Sequence, residues 1–254
     1  MTRRIVVFVG PTLAQEEAAT WLDAVYRPPA EQGDILRAVT SLQADTIVLI
    51  DGVFAKAPAV RHKEILWTLG RGVAVHGAAS MGALRAAELH PFGMQGHGLV
   101  YRWYRATPLA DDDEVAVAMM PAELGAHALS EALVDIRMTL RRAERMGIVQ
   151  GRTRRALEDV ARRLHFLDRT YAMLFDRALA CLPAPERAVI QPLRDWAEHH
   201  AVRQKRDDAI GLLRHLAASG CHSPGPPAAV PPFRMTESWA ADLEAAGLYS
   251  DNIL

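Results

Sequence analysis

Three short apolar runs, Ile5–Val9, Thr46–Ile50 and Val73–Val75, are each followed by turn residues and then by a helical pattern. A run with no polar alternation has no face to give to water, so each is expected to be a strand buried on both sides. Such strands alternating with helices pack as a parallel sheet covered by those helices. The expected helices are Gln15–Leu22, Asp34–Ser41 with Asp34 as its cap, Pro58–Leu69 opened by its proline, and Met81–Leu89. Leu99–Tyr104, which follows a glycine-rich stretch, reads as a further strand.

After about residue 128 the strand signal stops. Ser130–Met146, Thr153–Leu164, Thr170–Leu179, Glu186–His199 and Lys205–Ala218 read as helices, with Gly147, Gly151 and Gly220 as stop signals. Pro224–Pro232 holds five prolines in nine residues and reads as an extended linker before a last helix, Glu237–Ala246. The expected fold class is therefore α/β, an N-terminal parallel α-covered sheet followed by an all-helical C-terminal region. The expected domains are 1–125 for the sheet and 126–254 for the helical region, with a proline-rich linker near 222–232.

Composition narrows the function classes. A net charge of −1 gives no bulk attraction to nucleic acid or to a membrane surface, so neither is an expected partner. No apolar run approaches the ~20 residues of a membrane span, and Arg3-Arg4 followed by Ile5–Val9 is no signal peptide. The two cysteines, Cys181 and Cys221, form no CxxC pair and no disulfide framework. A cytoplasmic, reducing location is expected.

The segment from Val73 to Leu89 carries the densest chemical signal. Strand residues lead into His76-Gly77-Ala78-Ala79-Ser80-Met81-Gly82 and then into a strong helix former, Ala83–Leu89. A strand, a turn built from small residues with one serine, and a helix is the form of a nucleophile elbow, with Ala78 standing where the usual pattern has its first glycine. The helix N-terminus would also offer N–H groups and a positive dipole end to an anion. The same residues describe an ordinary strand–helix turn with Ser80 as N-cap.

In a parallel sheet the C-terminal ends of the strands lie on one edge, where ligands bind. That edge gathers Gly10-Pro11-Thr12, Asp51-Gly52 and His76 to Ser80, with His62 and Lys63 about one turn inside the next helix. A triad can therefore be assembled with Ser80 as nucleophile, His62 as base, and Asp51 or Glu64 as its orienting carboxylate. The Met81 amide, with Gly82 and an amide near Thr12, would form the oxyanion hole, Gly77 would give the close approach, and Arg85 would hold an anionic substrate. Each residue has a plainer reading: Asp51 ends a strand, His62 sits on a helix surface, His76 packs in a strand, and Arg85 pairs with Glu88. The order His before Ser differs from that of α/β-hydrolases, so any likeness is geometric.

Asp111-Asp112-Asp113-Glu114 reads as a solvated acidic turn or as an acidic cation site centred on Asp112 and Asp113. The ten histidines are scattered and none pairs with a cysteine at ligand spacing, so neither a metal nor a cofactor is expected. Arginines outnumber carboxylates along 137–177, which reads as a solvated helix face or a docking surface for an acidic protein or peptide.

Several separated motifs occur together: Asp51-Gly-Val-Phe, Pro58-Ala-Val-Arg-His-Lys-Glu-Ile-Leu, Gly77-Ala-Ala-Ser-Met-Gly-Ala-Leu-Arg-Ala-Ala-Glu-Leu, Phe92-Gly-Met and Asp112-Asp-Glu-Val-Ala. With Val9-Gly-Pro-Thr-Leu13, Gly33-Asp34 and Arg37, they resemble the TfuA-like family over roughly residues 5–140. The resemblance implies a partner of a YcaO-type enzyme, the ATP-dependent cyclodehydratase or thioamide synthetase that activates a peptide backbone amide. TfuA-like partners accompany those that install sulfur, in ribosomally made peptide (RiPP) antibiotics and in thioglycine formation in a methanogenesis enzyme. The implied role is to release or deliver sulfide from a thiocarboxylated sulfur-carrier protein, or to dock on YcaO and position the peptide substrate without catalysis. The resemblance brings no catalytic assignment; the triad above is read from the residues. Releasing sulfide from R–CO–S⁻ is acyl transfer, which is the chemistry a serine with a base performs.

Overall fold

A computed structural model describes residues 4–54, 57–107, 111–219, 233, 236–245 and 247–248. The expected linker near 222–232 and Cys221 lie outside the described residues. In chain order the first elements are β1 (Ile5–Phe8), α1 (Gln15–Ala19), β2 (Val25–Arg27), α2 (Asp34–Thr40), β3 (Thr46–Leu49), α3 (His62–Gly70), β4 (Ala74–Ala78), α4 (Met81–Leu89), β5 (Gln95–His97) and α5 (Gly98–Ala106). The helices that follow are α6 (Leu133–Arg145), α7 (Gly151–Arg163), α8 (Tyr171–Cys181), α9 (Ala184–Arg187), α10 (Ile190–His200), α11 (Gln204–Ser219) and α12 (Glu237–Ala245). The architecture is α/β, a parallel sheet covered by helices and then a helical C-terminal region, as the run pattern requires.

The strands pair in the order β2-β1-β3-β4-β5, every pair parallel. The chain leaves β1 toward one edge, then returns past it to β3 and continues toward the other. Right-handed crossovers therefore put α1 on one face and α2, α3 and α4 on the other. The packing follows. Val6, Phe8, Ile47, Leu49 and Val75 bury against Ile35 of α2, Ile65 and Leu69 of α3, and Ala86 and Leu89 of α4. On the opposite face Val7, Val48, Ile50 and Ala78 lie with Ala18 of α1.

Among the crossover helices only α1 covers that second face, which leaves the apolar side of β3 and β4 without a local partner. Helix α11 fills the gap, with Ala209, Leu212, Leu213 and Leu216 in the same buried cluster. Helix α12 buries Trp239 and Leu243 against Leu36 of α2 and Trp67 of α3. The chain accordingly divides into two compact units, 1–108 with 206–254, and 109–205. Residues 206–219 fall in the first unit because the sheet recruits the apolar face of α11.

The second unit is built on α6, α7, α8 and α10. Ile136, Leu140, Leu157, Leu174, Phe175 and Leu193 form its buried centre, an amphipathic stripe from each helix. One expected helix, Glu186–His199, is two: α9 and α10.

Two further expectations are corrected. Leu99–Tyr104 is helix α5, not a strand, and β5 is the short run before it. Gly98 takes φ 93° at the first turn, and the Val100 N–H donates to the buried Asp208 carboxylate at 2.7 Å. Val100 and Tyr104 then bury on one face, four residues apart. Helix α3 begins at His62, four residues after Pro58, because the Pro58 carbonyl accepts from Gln32 N–H at 2.9 Å and Ala59 bridges Glu31.

Candidate functional site

The strand order reverses between β1 and β3, so the ligand crevice of such a sheet is expected over their C-terminal ends. Asp51 occupies that point, fully buried, and its carboxylate organises the β1–α1 loop. Oδ2 accepts from the Gly10 and Thr12 amides at 2.9 and 3.0 Å, and Oδ1 accepts from the Thr12 hydroxyl at 2.6 Å. Burying a carboxylate is costly unless donors surround it, and three donors do so here. The structure thus joins Asp51 to Thr12. Among the described residues Asp51 makes no bond to His62; its hydrogen bonds hold the β1–α1 loop.

One strand along, the β4–α4 turn is tightly drawn. Ser80 N–H donates to the Ala78 carbonyl at 2.8 Å, closing a γ-turn around Ala79, whose φ is 68°. A γ-turn with positive φ at its centre is rare and strained, more so for a residue with a Cβ. The close packing around it needs glycine. A Cβ on Gly82 would stand 1.7 Å from the Leu49 carbonyl oxygen, and one on Gly77 would stand 2.1 Å from the Gly82 carbonyl oxygen. Gly77 and Gly82 are therefore packing residues. The Gly82 N–H donates to the Ile50 carbonyl at 3.2 Å, which takes it out of the expected oxyanion hole. The strained position is Ala79, one residue before the serine, and not Ser80 itself.

Ser80 is the N-cap of α4 and is 3% exposed, yet its side chain makes no capping bond to the helix. Its carbonyl accepts from the Ala83 and Leu84 amides at 2.9 and 3.3 Å. Met81 buries its side chain above Gly52, whose added Cβ would meet the Met81 sulfur at 2.4 Å.

His62 is held elsewhere. Its Nε2 lies 2.8 Å from Glu88 Oε2, and the Arg85 guanidinium reaches the same oxygen at 2.7 Å while donating to the Val60 carbonyl at 3.2 Å. Burial pushes the Glu88 carboxyl up, but hydrogen bonds from His62 and Arg85 outweigh it and hold it below the usual range. Glu88 stands eight residues past Ser80, roughly 12 Å along the helix axis at 1.5 Å per residue. His62 and Arg85 thus form a half-exposed α3–α4 clasp with Glu88 as its carboxylate. Glu64, the other carboxylate considered for His62, closes a capping box on Arg61 N–H at 3.2 Å. Burial raises its carboxyl to about 7.

The second face of the sheet holds a group the sequence pattern did not single out. His97 ends β5, and its ring stacks on His215 of α11 with centroids 5.7 Å apart. His76 of β4 lies within the field of both; burial first, then His215 and His97, lower its imidazole to about 4. The signal available in sequence was the line Asp208, Leu212, His215 at helical spacing, but nothing local says which strand it meets.

The acidic run is engaged in the second unit. Arg162 meets Asp111 at 2.7 Å, the fully buried Arg169 meets Asp113 at 2.7 Å, and Arg137 grips Glu114 at 2.8 and 3.1 Å. Burial raises the Glu114 carboxyl against the pull of Arg137. Asp112 shares the 3-10 turn with Asp113 and Glu114. Among the described residues, no group of three or more His, Cys, Asp or Glu could hold a metal ion. Asp111, Asp113 and Glu114 are thus each engaged by an arginine. Arg137, Arg141 and Arg154 also converge on Glu158, so much of the arginine-rich stretch serves the fold.

Residues 51–170 match the family model described as TfuA-like protein. Over that segment the chain is a TfuA-like protein. No curated protein matches it. The TfuA-like segment begins at Asp51 itself, takes in the β4–α4 turn and the His62–Arg85–Glu88 clasp, and runs through the Arg169–Asp113 pair. It starts later and ends later than the resemblance over 5–140: Thr12, Gly33-Asp34 and Arg37 fall outside it, and α6 and α7 fall inside. Among the described residues no helix is long and apolar enough to cross a membrane.

Proposed function

We propose that this protein is an accessory factor for YcaO-dependent backbone thioamidation, and that it releases sulfide from a thiocarboxylated sulfur carrier. Membership of the TfuA-like segment supports the pathway. The observation that carries the chemistry is the β4–α4 turn, where Ala79 is held at φ 68° immediately before a serine at the head of a nine-residue helix. Strain of this kind costs about 1–3 kcal/mol and persists where the surrounding packing dictates it, commonly at active sites.

In this reading Ser80 Oγ attacks the thiocarboxylate carbonyl, R–CO–S⁻. The Ser80 proton leaves to a base, the C–O bond forms and the C–S bond breaks, and the sulfur departs as HS⁻ after receiving that proton. Water then hydrolyses the acyl-serine to R–COO⁻. The Met81 amide and the positive end of α4 stabilise the developing oxyanion, and Thr12, set by Asp51, borders the same sheet edge. Purified protein mixed with a thiocarboxylated carrier should release sulfide without YcaO. Absence of release would contradict the proposal.

A second reading is favoured by one observation, the 3% exposure of Ser80: a non-catalytic partner that docks on YcaO and activates it or positions the peptide. Free sulfide separates the two. Sulfide that replaces the protein in the coupled reaction supports delivery, and a continued requirement for the protein supports activation.

A further inference from the structure

The histidines on the second face of the sheet supply what the α3–α4 clasp does not. Strands β4 and β5 are in register with Ala78 beside His97, and adjacent strands lie about 4.8 Å apart. Ser80 is two residues beyond Ala78, across the γ-turn. His97 therefore stands at the C-terminal edge of the sheet, beside the strand that delivers Ser80 two residues later. Ala78 and Ala79 pack in the cluster that holds Leu212, Leu213 and Leu216 of α11, so the turn and the His97–His215 stack lie against the same helix.

The stack is built in. Gly211 of α11 leaves room for the imidazole, since a Cβ there would stand 3.0 Å from His97 Nε2. Asp208, one turn earlier, fixes the chain just after His97 through the Val100 amide at 2.7 Å. Gly98 lets the Asp208 carboxyl carbon approach to 2.2 Å from where its Cβ would be. His97 is half-buried and His215 is exposed, so the stack itself reaches solvent.

We propose that His97, backed by His215, is the proton-transfer residue of this site, taking the Ser80 proton and returning it to the departing sulfide. The inference rests on the sulfide-releasing reading above and deepens it by naming the base. In the balanced step, His97 gains the Ser80 proton as the C–O bond forms and loses it to sulfur as the C–S bond breaks, so it ends neutral and ready for the water that clears the acyl-serine. A base must be neutral at working pH. Burial and the neighbouring His215 hold the His97 imidazole below its ordinary value; Asp208 pulls it up and Arg102 of α5 pushes it down. His76 from β4, kept neutral by its burial, is the third titratable group at the stack.

The test is the pH–rate profile of sulfide release from a thiocarboxylated carrier by the full chain and by three variants, each checked for an unchanged melting curve. H97Q should slow release at least ~10²-fold and abolish the acid limb of the profile. H215Q should keep most of the rate and move the acid limb to higher pH, because removing an adjacent imidazole relieves the repulsion on His97. That displacement is a readout a merely structural histidine would not give, and it holds even if H97Q does not fold. H97Q with wild-type rate and profile, or H215Q with an unmoved limb, overturns the base assignment while leaving the function standing. So does H62Q losing the limb that H97Q keeps. A wild-type chain that releases no sulfide overturns the function and the assignment together.

Discussion

The two compact units hold their polar groups in opposite ways. In the second unit charge is buried and closed on itself: Arg169 is fully buried against Asp113, and Glu158 receives three arginines. In the sheet unit the buried Asp51 is satisfied by backbone amides and a threonine hydroxyl, and the notable feature is backbone strain at Ala79. Ion pairs of the first kind fix helices to one another and leave little for chemistry. Strain beside a serine, at the open end of parallel strands, is how a sheet presents a reactive group. On the proposed function, the contrast assigns the chemistry to the sheet unit and structural duty to the helical one.

The largest way to break the contrast is Arg169→Ala. Losing the buried guanidinium, which leaves a cavity and removes the Arg169 donor from the Asp113 and Leu164 carbonyls, should cost about 3 kcal/mol or more. Calorimetry should show the loss in unfolding of the helical unit, with sulfide release retained at temperatures where that unit is folded. Gly82→Ala is the sheet unit's counterpart: a Cβ forced 1.7 Å from the Leu49 carbonyl oxygen should cost about 3 kcal/mol or more, read from denaturant midpoints, and abolish the site with it.

Acid acts next within the sheet unit. His76 has an ordinary value of 6.5 and lies at about 4 when folded, burial being the main cause. As pH falls below 6.5 the unfolded chain takes up this proton and the folded chain does not. Stability from this group is thus complete above 6.5 and is lost on the way down to about 4, on the order of 3 kcal/mol in all. Urea unfolding across that range should fall less steeply in H76N than in the wild type. Glu64 runs the other way: its carboxyl rises from 4.5 to about 7, so its contribution is full below 4.5 and is lost as pH rises through 7.

Much of the sheet was legible in sequence because each buried strand announces itself locally. Ile5–Val9 and Thr46–Ile50 fall where their apolar runs fall, the third strand continues past Val73–Val75 to Ala78, and the rule that parallel strands share an edge was enough to bring Thr12 and Asp51 together. The edge strand Val25–Arg27 carries no such run. What local pattern could not show was where α11 goes: its apolar face reads as one more bundle helix until the bare second face of β3 and β4 is known. The same blindness hid the partners of the histidines. His62 lies near Ser80 in chain order and at the right end of its helix, but Arg85 and Glu88 claim it, while His97 and His215 become neighbours only through a contact spanning more than a hundred residues. The arginine partners of the acidic run were hidden for a related reason, since Arg137, Arg162 and Arg169 lie far from it in the chain.

The smallest effect is also the most local. Ala79→Gly removes the Cβ from a position at φ 68° and should stabilise the sheet unit by about 0.5–1 kcal/mol, the relief of strain exceeding the entropy cost of glycine. A loss of stability there would mean that the turn is not strained as described.

Single-turnover sulfide release by Ser80→Ala tests the central claim most directly. Because the Ser80 side chain makes no capping bond to α4, the variant should unfold within about 0.5 kcal/mol of the wild type. A fall in release of at least ~10²-fold, with that fold intact, is the predicted result. An intact variant that releases sulfide at the wild-type rate would contradict the account.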